Sequence, residues 1–481
     1  MAVLQEIEPK EVFHFFEEIC NIPHGSKNLE QISNYLVSFA QDRQLEVICD
    51  GELNVIIKAP ASKGYEDMEP VILQGHMDMV AVKEDDCDID MANEGLRLKT
   101  DGEYIWADGT SLGGDDGIAV AYILALLDSK DIPHPPLEVI ITTNEEIGMI
   151  GATALDLSGL NGKKMINIDN EEEGVFITSC AGGATFHSEL PIKRESRSGI
   201  ECKIEVSGLQ GGHSGEMIKH ERGNADILCA RALYEAMENT ELYIKELNGG
   251  AADNAIPFAA TATVIVSESN LAKIKDSIAK TDRNVKDELG TKDPNAAVTL
   301  TEIGEATADC LDKVSAEKMV KMIVSMPNGV LAMSADVEGL VETSVNIGIV
   351  CTSEDKAVVV QSLRSSVGSS KEHLKNRLKI VAEAFGASTY ITGDYPGWKY
   401  RRESGLRDHM VSVYKEMYGK EPTLEAIHAG LECGIISSKI EGLDCISIGP
   451  DMADIHSTKE KLSVKSSKNV WEYLKAVLGK R

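Results

Sequence analysis

Residues 70–80 read PVILQGHMDMV: a short apolar run, then Gly75, His76 and Asp78. A buried strand that ends in a polar loop has this form, and it puts His76 and Asp78 on one face. Imidazole suits zinc, and a ligating histidine usually passes its other N–H to a carboxylate, a place Asp78 can fill. A buried histidine with a local hydrogen-bond partner accounts for the pair as well.

The same pattern recurs outward from this run. LEVIITTNEEIG is β-branched and apolar over residues 137–143 and closes on Asn144, Glu145 and Glu146. Neighbouring carboxylates repel unless a cation or shared proton compensates, so the pair reads either as metal ligand plus base or as a solvated acidic loop. KKMINIDNEEEG brings Asp169 after residues 165–168, and LDCISIGPDMADIHSTKE brings His456 into a loop after residues 445–448. In ADGTSLGGDDGIAVAYILALLDS a Gly-rich turn delivers Asp115 and Asp116 into an apolar-faced helix starting near Gly117; alone, they look like helix N-caps.

Each position has an ordinary explanation, but open α/β sheets bind ligands beyond the carboxyl ends of their strands, and the coincidence of so many is hard to reach by accident. Two histidines and three carboxylates, one of them bridging, are what a pair of hydrolytic zinc ions requires: His76, Asp115, Glu146, Asp169 and His456, with Glu145 to spare.

The motifs GHMDMV, DGTSLGGDDGIAVA, TTNEEIG, NIDNEE, GLQGGHSG and ADIHS, in order along the chain, resemble the aminoacylase and carboxypeptidase family of dizinc metallopeptidases. Within it they are most similar to the aminoacyl-histidine (Xaa-His, carnosinase-like) dipeptidase branch. Gly117 stands where many relatives carry Lys, which favours that branch over the tripeptide aminopeptidases sharing DGTSL. The resemblance implies that Asp115 bridges the metals across a cis peptide to Asp116. It implies that His76 and Asp169 complete one metal site and Glu146 and His456 the other, with Glu145 as general base and Asp78 orienting His76. Chemistry independently asks for a base beside the activated water that does not itself ligate the metal, which suits the second Glu. The same donors could hold manganese or cobalt in place of zinc.

The formal net charge of −30 argues against nucleic acid and against anionic membrane surfaces. The acidic, amphipathic opening MAVLQEIEPKEVFHFFEEIC has no basic n-region, so no signal peptide is expected. The longest apolar run, residues 117–127, is too short to span a bilayer. Ten cysteines without a Cys-X-X-Cys pair read as reduced, packed thiols, which suits a cytoplasmic protein. Asp86, Asp88 and Asp90 imitate a calcium loop, but Met91 and Arg97 occupy its required Gly and Glu positions. No Gly-rich phosphate loop is present.

Four ligands fall before residue 170 and one at 456, so the catalytic domain is expected to be discontinuous. The expected fold is α/β: a catalytic domain over residues 1–183 and 393–481, with a mostly parallel sheet flanked by helices, and an α+β lid inserted at 184–392. Strand, helix, strand, strand, helix, strand runs once through residues 201–301 and less completely through 315–392, which suggests two related halves.

In the insert, GLQGGHSGE puts His213 in a Gly-flanked turn, where the resemblance implies a donor to the oxyanion of the tetrahedral intermediate. Arg364 closes the apolar run VVVQSLRSS, where a guanidinium can clamp a dipeptide's terminal carboxylate or form a structural ion pair. Asn254 in DNAIP and Gly430 in HAGLE resemble further substrate-side positions, although Asn254 also suits a plain turn. The expected activity is metal-dependent hydrolysis of unblocked dipeptides, with a C-terminal His preferred. A tripeptide aminopeptidase, an N-acyl amino acid deacylase and a non-catalytic relative are the alternatives. The expected partner is a small peptide, and a homodimer is left open.

Overall fold

The computed structural model describes residues 3–480, and the chain divides into two compact units. One holds everything described up to Ser179, then Tyr400–Ala426 and Leu431 onward; the other holds Cys180–Lys399 and Ile427–Gly430. The changeovers therefore stand at 179/180 and 399/400, where the sequence suggested 183/184 and 392/393. The return of Ile427–Gly430 to the second unit had no counterpart in the sequence reading. The outer limits expected for the catalytic segments, residues 1 and 481, lie outside the described residues.

The first unit is built on an eight-stranded sheet in the order Glu46–Cys49, Val55–Ala59, Leu137–Thr142, Val71–His76, Lys164–Asn167, Asp444–Ser447, Val175–Cys180, Thr423–Ile427. The four strands from Leu137–Thr142 to Asp444–Ser447 are mutually parallel. Antiparallel strands flank them. The parallel strands are almost wholly buried, as their near-continuous apolar runs require. Because they are parallel, their carboxyl ends lie side by side.

The helix Gly114–Asp128 is buried on every side from Gly114 to Leu126, so it is apolar all round and not only on one face. Asp115 and Asp116 depart from helical angles, and regular helix begins at Gly117. Gly75 permits close contact between strand and helix: a Cβ there would stand 2.5 Å from Asp116 Oδ2 and 2.8 Å from Ala119 Cβ. Midway along the helix, Tyr122 stacks on Trp471 at 5.9 Å and donates to the Ser467 carbonyl at 2.8 Å, tying in the helix Val464–Gly479.

The second unit has its own core on one mostly antiparallel sheet. In its first half the strands Arg194–Ser207, Tyr243–Gly249, Ala260–Val266 and Ala297–Leu311 lie in the spatial order 4-1-3-2. The helices Ala225–Asn239 and Glu268–Leu289 connect the first strand to the second and the third to the fourth. The second half repeats the order 4-1-3-2 with Gly182–Pro191, Val341–Thr352, Lys356–Ser365 and Ser388–Tyr395. It looked incomplete in the sequence because its first strand precedes the whole first half. The halves are nested, and they join where Gly249 pairs with Val350.

Candidate active site

In the first unit the predicted ligands converge at the carboxyl ends of the parallel strands. His76 closes its strand, Glu145 and Glu146 follow Leu137–Thr142, and Asp169 follows Lys164–Asn167. Asp115 enters from the head of a helix and not from a strand. His456 sits in the loop between the short strands Met452–Ala453 and Lys461–Ser463. The second of these pairs with Tyr104–Ala107, the strand from which the chain runs on to Asp115. His456 adopts φ 59°, a left-handed conformation that costs free energy and concentrates at functional sites.

Asp115 stands at the centre. Its Oδ1 lies 3.1 Å from His76 Nε2 and its Oδ2 3.1 Å from His456 Nε2. Glu146 Oε1 is 2.9 Å from the same His456 nitrogen, and Asp169 Oδ1 is 3.7 Å from His76 Nε2. The Asp115–Asp116 peptide is cis. Among the described residues, three groups have donor atoms within 4.8 Å of one another: His76, Asp116 and Asp169; His76, Glu145 and Glu146; Asp115, Glu146 and His456.

Electrostatics shows what this cluster lacks. Burial opposes charge on His76, but hydrogen bonds to Asp115 and Asp169 outweigh it and hold the imidazole well above its usual pKa. Hydrogen bonds to Asp115 and Glu146 hold His456 up to about 10. Burial pushes Asp169 up to about 6, and pushes Glu145 well above the carboxylate range with help from Asp169, Glu432 and Glu146. No Lys or Arg pairs with these carboxylates among the described residues; their ionic partners are the two imidazoles. Protons on the imidazoles stand where cations would, and the mixed nitrogen and carboxylate donor set fits two divalent ions.

The residues around the ligands hold them in place. His76 Nδ1 is 2.9 Å from the backbone carbonyl of Asp78, while the Asp78 carboxylate lies 3.6 Å away. That carboxylate, expected to orient His76, also accepts from the N–H groups of Glu145 at 3.0 Å and Glu146 at 3.4 Å, and from Ser26 Oγ at 2.8 Å. A carboxylate is drawn to convergent N–H donors, and the turn of Asn144 to Glu146 supplies them. Two residues to which the sequence reading gave no such role, Asp116 and Glu460, do similar work. Asp116 Oδ2 accepts from the His76 N–H at 3.1 Å. Glu460 takes the N–H groups of Leu112, Gly113 and Gly114 at 2.8, 3.1 and 2.8 Å, fixing the turn that delivers Asp115. Glu432 is fully buried among the strand ends. Glu460 and Glu432 lie in the quoted motifs ADIHSTKE and HAGLE, but nothing in those strings says that a carboxylate will turn inward.

The second unit gathers the other predicted residues. His213 pairs with Ala255 in a two-residue ladder, and Ser214 N–H donates to the Asn254 carbonyl at 2.8 Å, which places Asn254 beside His213. Arg364 is 8% exposed; its Nη1 meets the Tyr395 hydroxyl at 3.4 Å, its Nε has no hydrogen-bond partner, and no carboxylate pairs with it among the described residues. Burial and then Arg364 lower the pKa of His213 and push His428 down to about 3. His428 Nε2 lies 2.7 Å from Ser344 Oγ. At Gly430 a Cβ would come within 2.8 Å of the Tyr395 ring, so the residue must lack a side chain for Tyr395 to reach Arg364. The sequence reading did not select His428, Ser344 or Tyr395.

This geometry agrees with the comparisons. Residues 72–480 match the model of peptidase family M20/M25/M40. The chain belongs to that family. It is 35% identical over 480 residues to the cytosol non-specific dipeptidase of Escherichia coli (strain K12), covering 99% of each chain. Among solved structures, aminoacylhistidine dipeptidase from Vibrio alginolyticus matches with TM-score 0.94 and 36% identity over 99% of this chain and 97% of that one. Aminopeptidase PepT from Bacillus cereus ATCC 10987 matches with TM-score 0.61 at 18% identity over 98% of each chain, which shows a shared fold. The metallopeptidase assignment read from the motifs therefore holds, and the protein is a hydrolase of that class. No helix among the described residues is long and apolar enough to cross a membrane.

Proposed function

We propose that the protein hydrolyses unblocked dipeptides in the cytoplasm, using two divalent ions, zinc foremost, and that it accepts aminoacyl-histidine substrates. The observation that carries this reading is Asp115, with one oxygen toward each histidine at 3.1 Å, the disposition of a carboxylate shared between two ions. His76, Asp115 and Asp169 would hold one ion; Asp115, Glu146 and His456 would hold the other. When bound, the pair supplies the Lewis acidity that polarises a carbonyl and acidifies water.

Glu145 takes the proton from the attacking water and passes it to the leaving amine, a task that suits a carboxyl that burial holds well above the usual carboxylate range. The Asp78 carboxylate fixes the Glu145 backbone for that transfer. On the substrate side, Arg364 binds the terminal carboxylate: a nearly buried guanidinium without a counter-ion is costly unless a ligand completes it. His213, with Nδ1 unpartnered, donates to the oxyanion, and Asn254 and Gly430 contribute to the same subsite. The names of the two similar dipeptidases support a dipeptide over an N-acyl amino acid, and they differ on how selective the C-terminal pocket is.

A substrate panel tests this with apo-protein reloaded with zinc, manganese or cobalt: Xaa-His and other free dipeptides, their N-acetyl and C-terminal amide forms, and tripeptides. Free dipeptides are expected to turn over fastest, with acetylation and amidation each suppressing the rate. Faster cleavage of N-acyl amino acids or tripeptides, or no turnover with any metal, would reject the proposal.

A further inference from the structure

Glu432 has no part in the roles above. It opens the helix Glu432–Lys439, is fully buried, and makes no capping bond there. Its Oε2 accepts from Gln74 Nε2 and from Thr142 Oγ1, each at 2.6 Å, and Gln74 Oε1 accepts from Asn167 Nδ2 at 2.5 Å. Gln74 lies two residues before His76, Thr142 three before Glu145, and Asn167 two before Asp169. One side chain from late in the sequence thus touches two adjacent parallel strands that present these residues and, through Gln74, is linked to the third.

Folding alone does not call for a carboxyl at this point. Its partners are an amide and a hydroxyl, its Oε1 has no partner, and no basic side chain meets it among the described residues. A glutamine would keep the hydrogen bonds without the desolvation penalty of a buried charge. Burial pushes the carboxyl up to about 8, so without ions it keeps its proton at neutral pH; two divalent ions a short way along the same strands would draw that proton off and offset the penalty of the charge.

We propose that Glu432 is a positioning residue for the metal centre: through Gln74, Thr142 and Asn167 it fixes the ends of the ligand-bearing strands, and its charge balances that of the ions. The inference rests on the metal-binding part of the proposed function and not on the substrate. Groups that hold ligands in this way typically contribute about 10- to 100-fold in metal affinity.

The test is zinc titration of full-length apo-protein against a chromophoric chelator, comparing wild type, Glu432→Gln, Thr142→Val and the double variant. Glu432→Gln is expected to weaken binding of at least one ion by about 10- to 100-fold while the apo-protein melts as wild type does. Thr142→Val should give a smaller loss in the same direction, and the double variant a loss smaller than the product of the singles, because the two groups share one bond. Should Glu432→Gln not fold, Thr142→Val decides alone. Zinc affinities within about twofold of wild type, or losses that simply multiply, would overturn the inference. No substrate enters the measurement, so failure of dipeptide hydrolysis and failure of this inference are read separately.

Discussion

The candidate site residues of the two units carry charge of opposite sign. In the unit with the parallel-centred sheet the buried excess is carboxylate, gathered from neighbouring strand ends and met by two imidazoles. In the antiparallel unit the charged group of the candidate site is a single guanidinium, Arg364, with His213 and His428 beside it held toward neutrality. Parallel strands deliver one residue each to one place, so a polynuclear site is easy to assemble there. An antiparallel sheet alternates its ends, and its cluster is pieced together from a strand, a two-residue ladder and the return segment Ile427–Gly430. The contrast suggests a division of labour, with cations bound by one unit and an anionic group by the other.

Breaking the carboxylate side should have the largest effect. Glu145→Gln is expected to keep both ions and bind dipeptide yet lose about 10² to 10⁴ in kcat, whereas Glu146→Gln should lose affinity for one ion because an amide is a poorer ligand. Elemental analysis of the purified variants, with folding checked by circular dichroism, separates the two; metal loss from Glu145→Gln alone would reverse the roles. On the cationic side, Arg364→Ala should raise KM for free dipeptides by about 10- to 100-fold, the worth of a charge-assisted pair, and should not lower Tm, since it removes a buried charge without a partner. A melt well below wild type would make Arg364 structural.

The metal-free carboxylate cluster also predicts a pH dependence. His456 is held up to about 10 against an ordinary 6.5, so its stabilisation of the folded apo-protein is complete below pH 6.5 and is lost as pH rises through about 10. Chelator-treated protein should therefore lose a few degrees of Tm between pH 7 and 10, and metal-loaded protein less, because ions replace the protons. Equal pH dependence in the two forms would contradict this. The smallest effect is expected at Tyr395, which touches Arg364 through one hydroxyl: Tyr395→Phe should raise KM by about two- to tenfold with kcat nearly unchanged, the range of a single hydrogen bond. An unchanged KM would remove Tyr395 from the subsite.

The candidate metal-site residues were legible because each adjoins an apolar run, Asp115 at the head of a helix and the others at or after the end of a strand. The substrate side was legible only in part. Arg364 closes a strand and could be picked out, but Tyr395 and His428 acquire meaning through a pairing with Gly430 and Ser344 that no local pattern encodes. Asp78 shows the limit at the atomic level. The sequence put a carboxylate near His76, but which of its oxygens, backbone or side chain, serves the imidazole depends on where Glu145 and Glu146 point their N–H groups. The doubled 4-1-3-2 order was half visible because the eye looks for repeats end to end, and here one repeat interrupts the other.

That interruption sets a timetable for biosynthesis. The strand Gly182–Pro191 leaves the ribosome well before Lys356–Ser365 and Ser388–Tyr395, the neighbours it pairs with, so its backbone groups wait while the whole first half is made and can fold. The metal centre waits longer. Four of its five predicted ligands are synthesised by Asp169, but His456 and the strand Asp444–Ser447, which lies against Lys164–Asn167, arrive only after the whole of Cys180–Lys399 has been made. At ordinary elongation rates that delay is on the order of tens of seconds, during which the nascent chain carries an incomplete ligand set and no means of cleaving a peptide.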